Sequence, residues 1–302
     1  MPLKLTPYRP EFATAEIGSL SGLIISDFPE AAYHSRPEVS THDAGKLLQA
    51  PALYRHAKDH PEEPTQAMRE GSARHVIVLE SSRVSERIAV IPKDAPRRPT
   101  SAQVNAKKPS EETIAALSWW ADFNRDSEGK IILDAETALA MRDQATAIYA
   151  DPDASALLSE PIATECAMFW RDPETSVPRR GRPDRLRRGN IVVDLKSTTC
   201  AAAESFSRDA MKFGYYRQAA DYLDALELLT GEPWKFYWIA AENDAPYLCP
   251  CYQCPPEGVD LGRRDRKRAL EAWSTGTALN HWPGYQTGPH FLLPPAWATK
   301  DL

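Results

Sequence analysis

The stretch from Pro178 to Cys200 constrains this sequence more than any other, because it combines strand-forming residues with closely spaced charges. Its β-branched run at 191–193 directly follows Gly189-Asn190, a dipeptide that favours a tight turn. The pattern predicts a hairpin whose first strand ends near Leu186 and whose second strand runs through Lys196.

Two acids and a lysine fall within this hairpin. Asp194 and Lys196 are two residues apart, so in a strand their side chains share one face and Leu195 points to the other. Hairpin pairing also brings Asp184 alongside Asp194. Such a cluster is costly in an apolar core but suits a site that holds a divalent cation and a water beside phosphate. The spacing alone also arises by chance, so a structural interpretation stays open at this point.

The same hairpin carries a run of arginines in a chain that is otherwise acidic. The net charge is -6, whereas residues 179–188 carry +5, which leaves -11 for the remainder. A focused basic patch on an acidic body suits local contact with a polyanion such as DNA, and a solvated charged hairpin is the alternative. The arginines expected to contact backbone phosphate are Arg179, Arg180, Arg182, Arg185, Arg187 and Arg188.

Composition indicates a globular protein from a reducing compartment. Apolar residues make up 42% of 302, enough for a sizeable core, and no stretch approaches the roughly 18 apolar residues of a membrane span. The amino terminus lacks a basic segment followed by an apolar stretch. Five cysteines, an odd number, argue against a disulfide framework. We therefore expect a cytoplasmic protein without membrane contact.

Periodicity predicts a mixed α/β chain. Helices are predicted at about residues 40–54 with a break at Pro51, 66–80 with His75 in its middle, 110–125, 134–150, 201–229 with an interruption near Gly214, and 261–278. Besides the hairpin, strands are predicted at 23–25, 164–170, 233–240 and 247–252. Trp119 and Trp120 on the third helix are expected to pack in the core rather than to stack on bases.

These elements predict one α/β domain, with a central mixed β-sheet flanked by helices and the first helices forming one wall of a DNA channel. Residues 1–36, with scattered prolines, are expected to form an amino-terminal arm. The domain would span 37–290 and the carboxy-terminal tail 291–302. Residues 92–110 are proline-rich, basic and nearly free of large apolar side chains, and are expected to form a mobile loop.

Several ordered motifs resemble the PD-(D/E)xK nuclease superfamily, in which a hairpin of a mixed sheet carries the acids and lysine. Gly71-Ser-Ala-Arg-His75 and Gln218-Ala-Ala-Asp-Tyr222 resemble helical motifs of its RecB-like branch, and Glu165 stands where that branch often has an acid. More narrowly, residues 36–286 resemble the nuclease domain of RecE-type exonucleases (exonuclease VIII) of phages and prophages. The segments that carry this resemblance are 40–54, 71–80, Phe169-Trp170, 181–198, 214–218 and Trp282-Pro-Gly-Tyr285.

The resemblance implies a role for each matched residue. The implied metal ligands are His75, Glu165, Asp184, Asp194 and the carbonyl of Leu195, and the implied catalytic residues are Lys196, Asp184, Asp194, Gln218 and Tyr222. Lys196 would orient the attacking water and stabilise charge on the phosphate. Gln218 and Tyr222, one helical turn apart, would contact phosphate or DNA. Oxygen ligands with one histidine favour Mg2+, as two ions, with Mn2+ able to replace it.

The activity implied by the resemblance is a metal-dependent exonuclease that degrades linear double-stranded DNA from 5' ends and leaves 3' single strands for recombination. Its expected partners are double-stranded DNA ends, further copies of the chain in a ring, and a single-strand annealing protein. One alternative is a nuclease of the same superfamily that acts on single-stranded or branched DNA. Another is a DNA-end-binding module whose chemistry has lapsed.

Three cysteines in the sequence Cys249-x-Cys251-x2-Cys254 suggest a metal cluster, which some RecB-like relatives carry. Those relatives use a separate early cysteine, and the other cysteines here, Cys166 and Cys200, fall within the nuclease core. We therefore expect ordinary thiols at these positions.

Overall fold

Strands and helices alternate along residues 3–285, 288–289 and 291–294, which are the residues that the computed structural model describes. The α-helices are α1 (Glu30–Ser35), α2 (Thr41–Gln49), α3 (Pro51–Asp59), α4 (Gln66–Leu79), α5 (Val84–Arg87), α6 (Ser101–Val104), α7 (Glu111–Asp126), α8 (Ala135–Ala150), α9 (Pro152–Leu158), α10 (Ala203–Phe213), α11 (Tyr215–Thr230) and α12 (Pro256–Leu279). The strands are β1 (Thr6–Pro7), β2 (Leu23–Ser26), β3 (Ile88–Ile91), β4 (Ile131–Asp134), β5 (Pro161–Thr164), β6 (Ala167–Arg171), β7 (Pro178–Gly181), β8 (Arg185–Arg187), β9 (Ile191–Thr198), β10 (Lys235–Glu242) and β11 (Cys251–Gln253).

A mixed five-stranded sheet in the order β11-β10-β9-β8-β5 lies at the centre. Only β9 and β10 are parallel, and the other neighbours are antiparallel. Side chains alternate along β9, so Val192 packs in the cluster under α10 to α12 and Val193 packs in the cluster under α4, α8 and α9. Helices on both faces of a mixed sheet confirm the predicted fold class.

A second sheet in the order β1-β2-β6-β7 is joined to the first by a bent hairpin. β5 pairs with β8 in the central sheet, whereas their continuations β6 and β7 pair in the second. The prediction of one strand over 164–170 is therefore wrong, because the chain leaves one sheet and enters the other there. Glu165 lies at this bend with φ 49° and is not on a strand face. Asp184 occupies the opposite side of the bend, between β7 and β8.

The predicted amino-terminal arm is built into the fold. β2 pairs with β6, which confirms a strand at residues 23–25. Ile25 and Phe28 pack against Phe169 of β6 in a buried cluster. Their burial explains why this stretch, despite its prolines, lies against the second sheet rather than extending away from it.

Local signals located most helix boundaries and the hairpin turn. Ser40 caps α2 in a capping box with Asp43, and Pro51 opens α3 as a separate helix. Gly214, with φ 74°, separates α10 from α11. At the hairpin turn Gly189 and Asn190 have φ 83° and 57°, the left-handed conformation that a two-residue turn between β8 and β9 requires.

Residues 92–110 include one helical turn, α6, capped by a reciprocal pair of contacts between Thr100 and Gln103. Trp120 of α7 is buried and its indole nitrogen donates to the carbonyl of Pro96 at 2.9 Å. Trp120 therefore packs in the interior, as expected from its residue type. The mobility of the segment stays a prediction.

The carboxy-terminal end of the description includes Trp282, which packs against Gly276 of α12 and the ring of Tyr54. Most of the predicted tail, residues 295–302, lies outside the described residues. Within the described ranges, none of the helices combines the length and apolarity that crossing a membrane would need.

β7 carries a charged side chain into the interior. Arg179 is fully buried, with its Nη2 2.7 Å from Asp221 Oδ2 of α11, which is equally buried. Its Nε donates to the carbonyl of Val39 at 2.9 Å. A buried ion pair contributes little relative to an apolar pair of the same shape, but loss of one partner leaves an uncompensated charge in the interior.

We therefore expect Asp221→Asn to lower the free energy of unfolding by about 3 kcal/mol or more, since Arg179 keeps its charge without a partner. The matched control is Asp224→Asn on the same helix, whose side chain is 24% exposed and whose ion-pair partner Arg263 is 46% exposed. That change should cost about 1 kcal/mol or less. Urea denaturation of both variants measures the difference, and equal losses would contradict the assignment.

Candidate active site

The site begins where β9 extends beyond Arg185, the first residue of the antiparallel strand β8. The last paired residues are Arg185 and Val193, so Leu195 has no strand partner on that edge. Its N–H donates instead to Asp184 Oδ2 at 2.7 Å, and its carbonyl oxygen lies 3.3 Å from His75 Nε2. The bend thus places the Asp184 carboxylate beside a backbone carbonyl that has no partner on the neighbouring strand.

His75 of α4 approaches this carbonyl from the opposite side. Its Nε2 is 3.5 Å from Asp184 Oδ2, and its Nδ1 is 3.0 Å from Glu165 Oε1. Glu165 Oε2 in turn accepts a hydrogen bond from Arg182 Nε at 2.8 Å. One ligand atom from each of His75, Glu165 and Asp184 can therefore lie within 4.8 Å of the others, close enough to share a metal ion.

Asp194 and Lys196 lie together on the face of β9 that points to α11, as their period-two spacing predicts. Asp194 is fully buried, and its Oδ2 is 2.7 Å from Lys196 Nζ. Gln218 Nε2 donates to Asp194 Oδ1 at 3.0 Å. The helical motif that contains Gln218 thus fixes the orientation of the second acid.

Tyr222, the other member of that motif, holds the backbone of the bend. Its hydroxyl donates to the carbonyl of Arg182 at 3.1 Å and accepts from the Arg182 N–H at 3.2 Å. A Cβ at Gly181 would lie 2.7 Å from the ring, so glycine permits this close approach. The structure therefore gives Tyr222 a positioning contact, and its predicted contact with phosphate stays a prediction.

Electrostatics show that the site suits an additional cation. Burial, and then the nearby Asp194, raise the pKa of Asp184 to about 7. Burial alone would lower the pKa of His75, but Asp184 and Glu165 more than offset it and raise the pKa to about 10. Both shifts have one physical origin, since buried carboxylates close to one another favour any positive charge between them.

The ammonium of Lys196 and the carboxylate of Glu165 are held in their charged forms. Burial opposes charge on Lys196, but Asp194 and Asp184 raise its pKa to about 12. Burial also opposes charge on Glu165, yet its contacts with His75 and Arg182 lower its pKa to about 2. The site is thus a set of buried opposed charges rather than a neutral pocket.

The available donors fit a hard divalent cation. Asp184 and the Leu195 carbonyl offer oxygen, and His75 offers one nitrogen, a set typical of Mg2+ or Mn2+ rather than zinc. Both oxygens of Asp194 are engaged, one by Gln218 and one by Lys196. Both oxygens of Glu165 are engaged by His75 and Arg182. This geometry suits Glu165 as the group that orients His75, a role that outer carboxylates commonly have beside metal-bound histidine.

A cleft of about 370 Å³ is lined by five of the predicted site residues: His75, Glu165, Asp184, Gln218 and Tyr222. Its walls include the amino terminus of α2, helix α4, and side chains that the sequence did not single out, such as Tyr33, Ser72 and Arg87. Ser72 could have been found, because it lies three residues before His75 on the same helical face. Tyr33 gave no signal, since the stretch that carries it has no period that links it to the hairpin.

The predicted DNA-binding arginines divide into three groups. Arg179 and Arg185 are buried and bonded to interior partners, so the prediction that they grip DNA is wrong. Arg180 and Arg182 line the cleft instead of the outer surface. The remaining two lie near the hairpin turn: Arg187 is partly covered and 3.8 Å from Glu160, while Arg188 is exposed. Their expected contact with DNA stays a prediction.

The cysteine motif does not converge in this structure. Cys254 packs in the cluster beneath α10 to α12, whereas Cys249 and Cys251 pack on the other face of the central sheet. All five cysteines are free. Burial raises the pKa of each of the three thiols, to about 12 for Cys251 and Cys254, as expected for thiols in apolar surroundings.

Comparison with known proteins finds a family that matches most of the chain. Residues 46–288 match the family described as "PDDEXK-like domain of unknown function (DUF3799)". A crystal structure of a "Putative exonuclease" from Eubacterium rectale is 11% identical to this chain, with a TM-score of 0.57. The alignment covers 91% of this chain and 99% of that one, which shows a shared fold.

A crystal structure of a phage related exonuclease from Haemophilus somnus 129PT is 12% identical, with 62% of this chain and 92% of that one covered. Its TM-score of 0.28 is too low to support an argument from the fold. No curated protein matches the sequence.

The site geometry predicts how the metal affinity responds to two acidic residues. Asp184→Asn should abolish measurable Mn2+ binding, because the carboxylate that faces His75 and Leu195 is lost. Glu165→Ala should weaken binding by about 10- to 100-fold, since His75 then loses its orienting partner. Titration of Mn2+ followed by electron paramagnetic resonance measures both.

The matched control is Glu227→Ala, an exposed acid on α11, which should leave Mn2+ affinity unchanged. Native affinity in Asp184→Asn, or an effect of Glu165→Ala no larger than that of the control, would contradict the assigned geometry.

Proposed function

The chain belongs to the PDDEXK-like domain family of unknown function, within the PD-(D/E)xK nuclease superfamily, and we propose on that premise that it is a metal-dependent DNA nuclease. One observation carries the proposal above all. Asp184 lines an open cleft and accepts a hydrogen bond from the N–H of Leu195, and Asp194 and Lys196 form an ion pair on the strand positions that flank Leu195. Buried opposed charges are costly to maintain, and this arrangement suits the hydrolysis of a phosphodiester bond.

Asp184, the Leu195 carbonyl and His75 Nε2 would hold a divalent cation, and Asp194 would contribute to a second. Such ions, when bound, withdraw electron density from the phosphate and lower the pKa of a coordinated water. Mg2+ is the proposed ion, and Mn2+ would substitute for it because it accepts the same ligands.

Lys196 would stabilise negative charge on the phosphate and orient the attacking water. Its raised pKa keeps it an ammonium near neutral pH. Asp194 fixes the position of that ammonium, and Gln218 in turn fixes Asp194. These three side chains would therefore be held in place before substrate binds, which is the preorganisation that electrostatic catalysis requires.

Arg180 and Arg182 would hold the phosphate backbone inside the cleft. Their ring contacts converge on Tyr33, with guanidinium carbons 4.6 and 5.6 Å from its centroid. In each, Nε and Nη1 are bonded to the protein, while Nη2 has no hydrogen-bond partner among the described residues. These two nitrogens can each donate a hydrogen bond to a phosphate oxygen.

Within this activity we propose an exonuclease that degrades linear duplex DNA from 5' ends and leaves 3' single strands for recombination. The sequence resemblance to RecE-type enzymes supports this substrate and polarity, and the name of the Eubacterium rectale protein makes an exonuclease the first activity to test. The domain at 37–290 would carry the activity. A ring of copies and a single-strand annealing protein would be its partners, as in the enzymes that the sequence resembles.

The test is digestion of linear duplex, nicked circle and single strand with Mg2+. The native protein should degrade the linear duplex fastest and release a 5' label before a 3' label. Lys196→Ala should slow the reaction by about 100-fold or more, because charge on the phosphate loses its stabilising ammonium. The control, Lys235→Ala, removes an exposed lysine from the neighbouring strand β10 and should leave the rate unchanged.

Metal-independent and equal behaviour of the native protein and Lys196→Ala would end the enzyme hypothesis and leave a DNA-end-binding module. Rapid cleavage of the nicked circle would keep the nuclease and reject the exonuclease. Preference for single strands would reject the duplex substrate.

A further inference from the structure

Three runs of basic residues occur in the chain, and the structure treats them differently. In the run at 179–188, two arginines are buried, two line the cleft and two lie near the hairpin turn, as described above. In the run at 263–268 on α12, Arg263, Arg266 and Lys267 are all paired with acids. The third run lies at 92–110, the stretch expected from sequence to be a mobile loop.

This third run, here named the basic segment (residues 92–110), presents its cations to solvent. Its five basic residues are exposed and form no ion pair with any described residue: Lys93, Arg97, Arg98, Lys107 and Lys108. Asp94 is its only acid, so the segment carries +4 while the rest of the chain carries -10. Unpaired cations concentrated on an acidic protein are the electrostatic requirement for local contact with a polyanion.

The segment is anchored at several points rather than loosely attached. Arg98 stacks 3.9 Å from the ring centroid of Trp120, whose indole nitrogen bonds Pro96. Thr100 caps the one-turn helix α6, and Ser110 caps α7 at the far end. The contacts with Trp120 hold the part of the segment around Arg97 against α7, which lowers the entropy cost of engaging a ligand there.

The segment also begins close to the cleft along the chain. Arg87 lines the cleft, and Lys93 follows six residues later, after β3. Six residues span at most about 20 Å, the length of roughly six base pairs. A duplex whose end enters the cleft would therefore have its next phosphates within about this distance of Lys93, the first cation of the segment.

We propose that the basic segment binds the phosphate backbone of duplex DNA outside the cleft. The choice of DNA as the polyanion rests on the proposed function, whereas the surface itself rests on exposure and charge. The contact is with phosphate and lacks sequence preference, because lysine and arginine here face solvent without a groove-reading helix. In this arrangement the cleft supplies chemistry and the basic segment supplies much of the affinity.

The test compares two variants of the full chain that each lose four positive charges. The first combines Lys93→Gln, Arg97→Gln, Lys107→Gln and Lys108→Gln, and keeps Arg98 because of its stacking contact. The control combines Arg142→Gln, Lys235→Gln, Arg264→Gln and Arg268→Gln, which are exposed cations of other elements that form no ion pair within the described part of the chain. Binding of a fluorescent 30-base-pair duplex is measured by anisotropy across a KCl series, without divalent metal.

The first variant should bind at least about tenfold more weakly at low salt, and its plot of log affinity against log salt should be less steep by about 3 to 4. The control should retain the native slope. Equal slopes in the first variant and the native protein, or an equal loss in the control, would overturn the proposal. Loss of binding to phosphatidylglycerol vesicles with duplex binding intact would also overturn it.

Hydrolysis of bis(p-nitrophenyl) phosphate with Mg2+ separates this proposal from the proposed function. That small diester cannot extend from the cleft to the basic segment, so both variants should hydrolyse it at the native rate. If the first variant loses duplex binding but hydrolyses the diester at the native rate, the result supports the basic segment as a DNA-binding surface. No hydrolysis by any of the proteins would reject the nuclease, while the salt slopes would still decide the binding surface. Equal thermal unfolding temperatures verify that both variants fold.

Discussion

The structure depends on how the backbone is satisfied where one hairpin bends between two sheets. β9 extends beyond Arg185, the first residue of β8. The N–H and carbonyl of Leu195 therefore have no strand partner on the β8 edge. Asp184 accepts a hydrogen bond from the Leu195 N–H. Tyr222 accepts one from the N–H of Arg182 and so fixes the backbone of the bend. A buried backbone group needs a partner, so the bend and the acid depend on each other. The proposed metal site is a consequence of that requirement.

Charge compensation accounts for the rest of the site. Carboxylates at the bend are balanced by His75, Arg182 and Lys196, and each of these cations is fixed by a second contact. The same principle operates deeper in the protein, where Arg179 and Asp221 pair without access to solvent. Because interior charges need partners, Arg179 and Arg185 of the conspicuous arginine run are committed to the fold. Exposed cations without an ion-pair partner among the described residues are concentrated in a different segment, at residues 92–110.

Local sequence signals predicted the elements well and the long-range partners unevenly. The Gly189-Asn190 turn, the Ser40 cap and the break at Gly214 each have a cause within a few residues, and all were found. Glu165 was placed on a strand because its neighbours favour β structure, and no local pattern shows that the strand changes sheets there. The prediction that Arg179 and Arg185 contact DNA was wrong for a related reason, because charge density in the sequence does not reveal which side chains meet interior partners.

The sequence by itself determined the α/β class, the hairpin, and the shared face of Asp194 and Lys196, because each follows from turn chemistry and a period of two. The family resemblance added His75, Glu165 and Gln218, which local rules would have left as ordinary core or surface residues. Only the tertiary structure decided that Glu165 holds His75 and Arg182, and that Arg179 is interior. Those outcomes depend on contacts between residues far apart in the chain, and hydrogen bonding and burial select such contacts only when the sheets and helices have packed together.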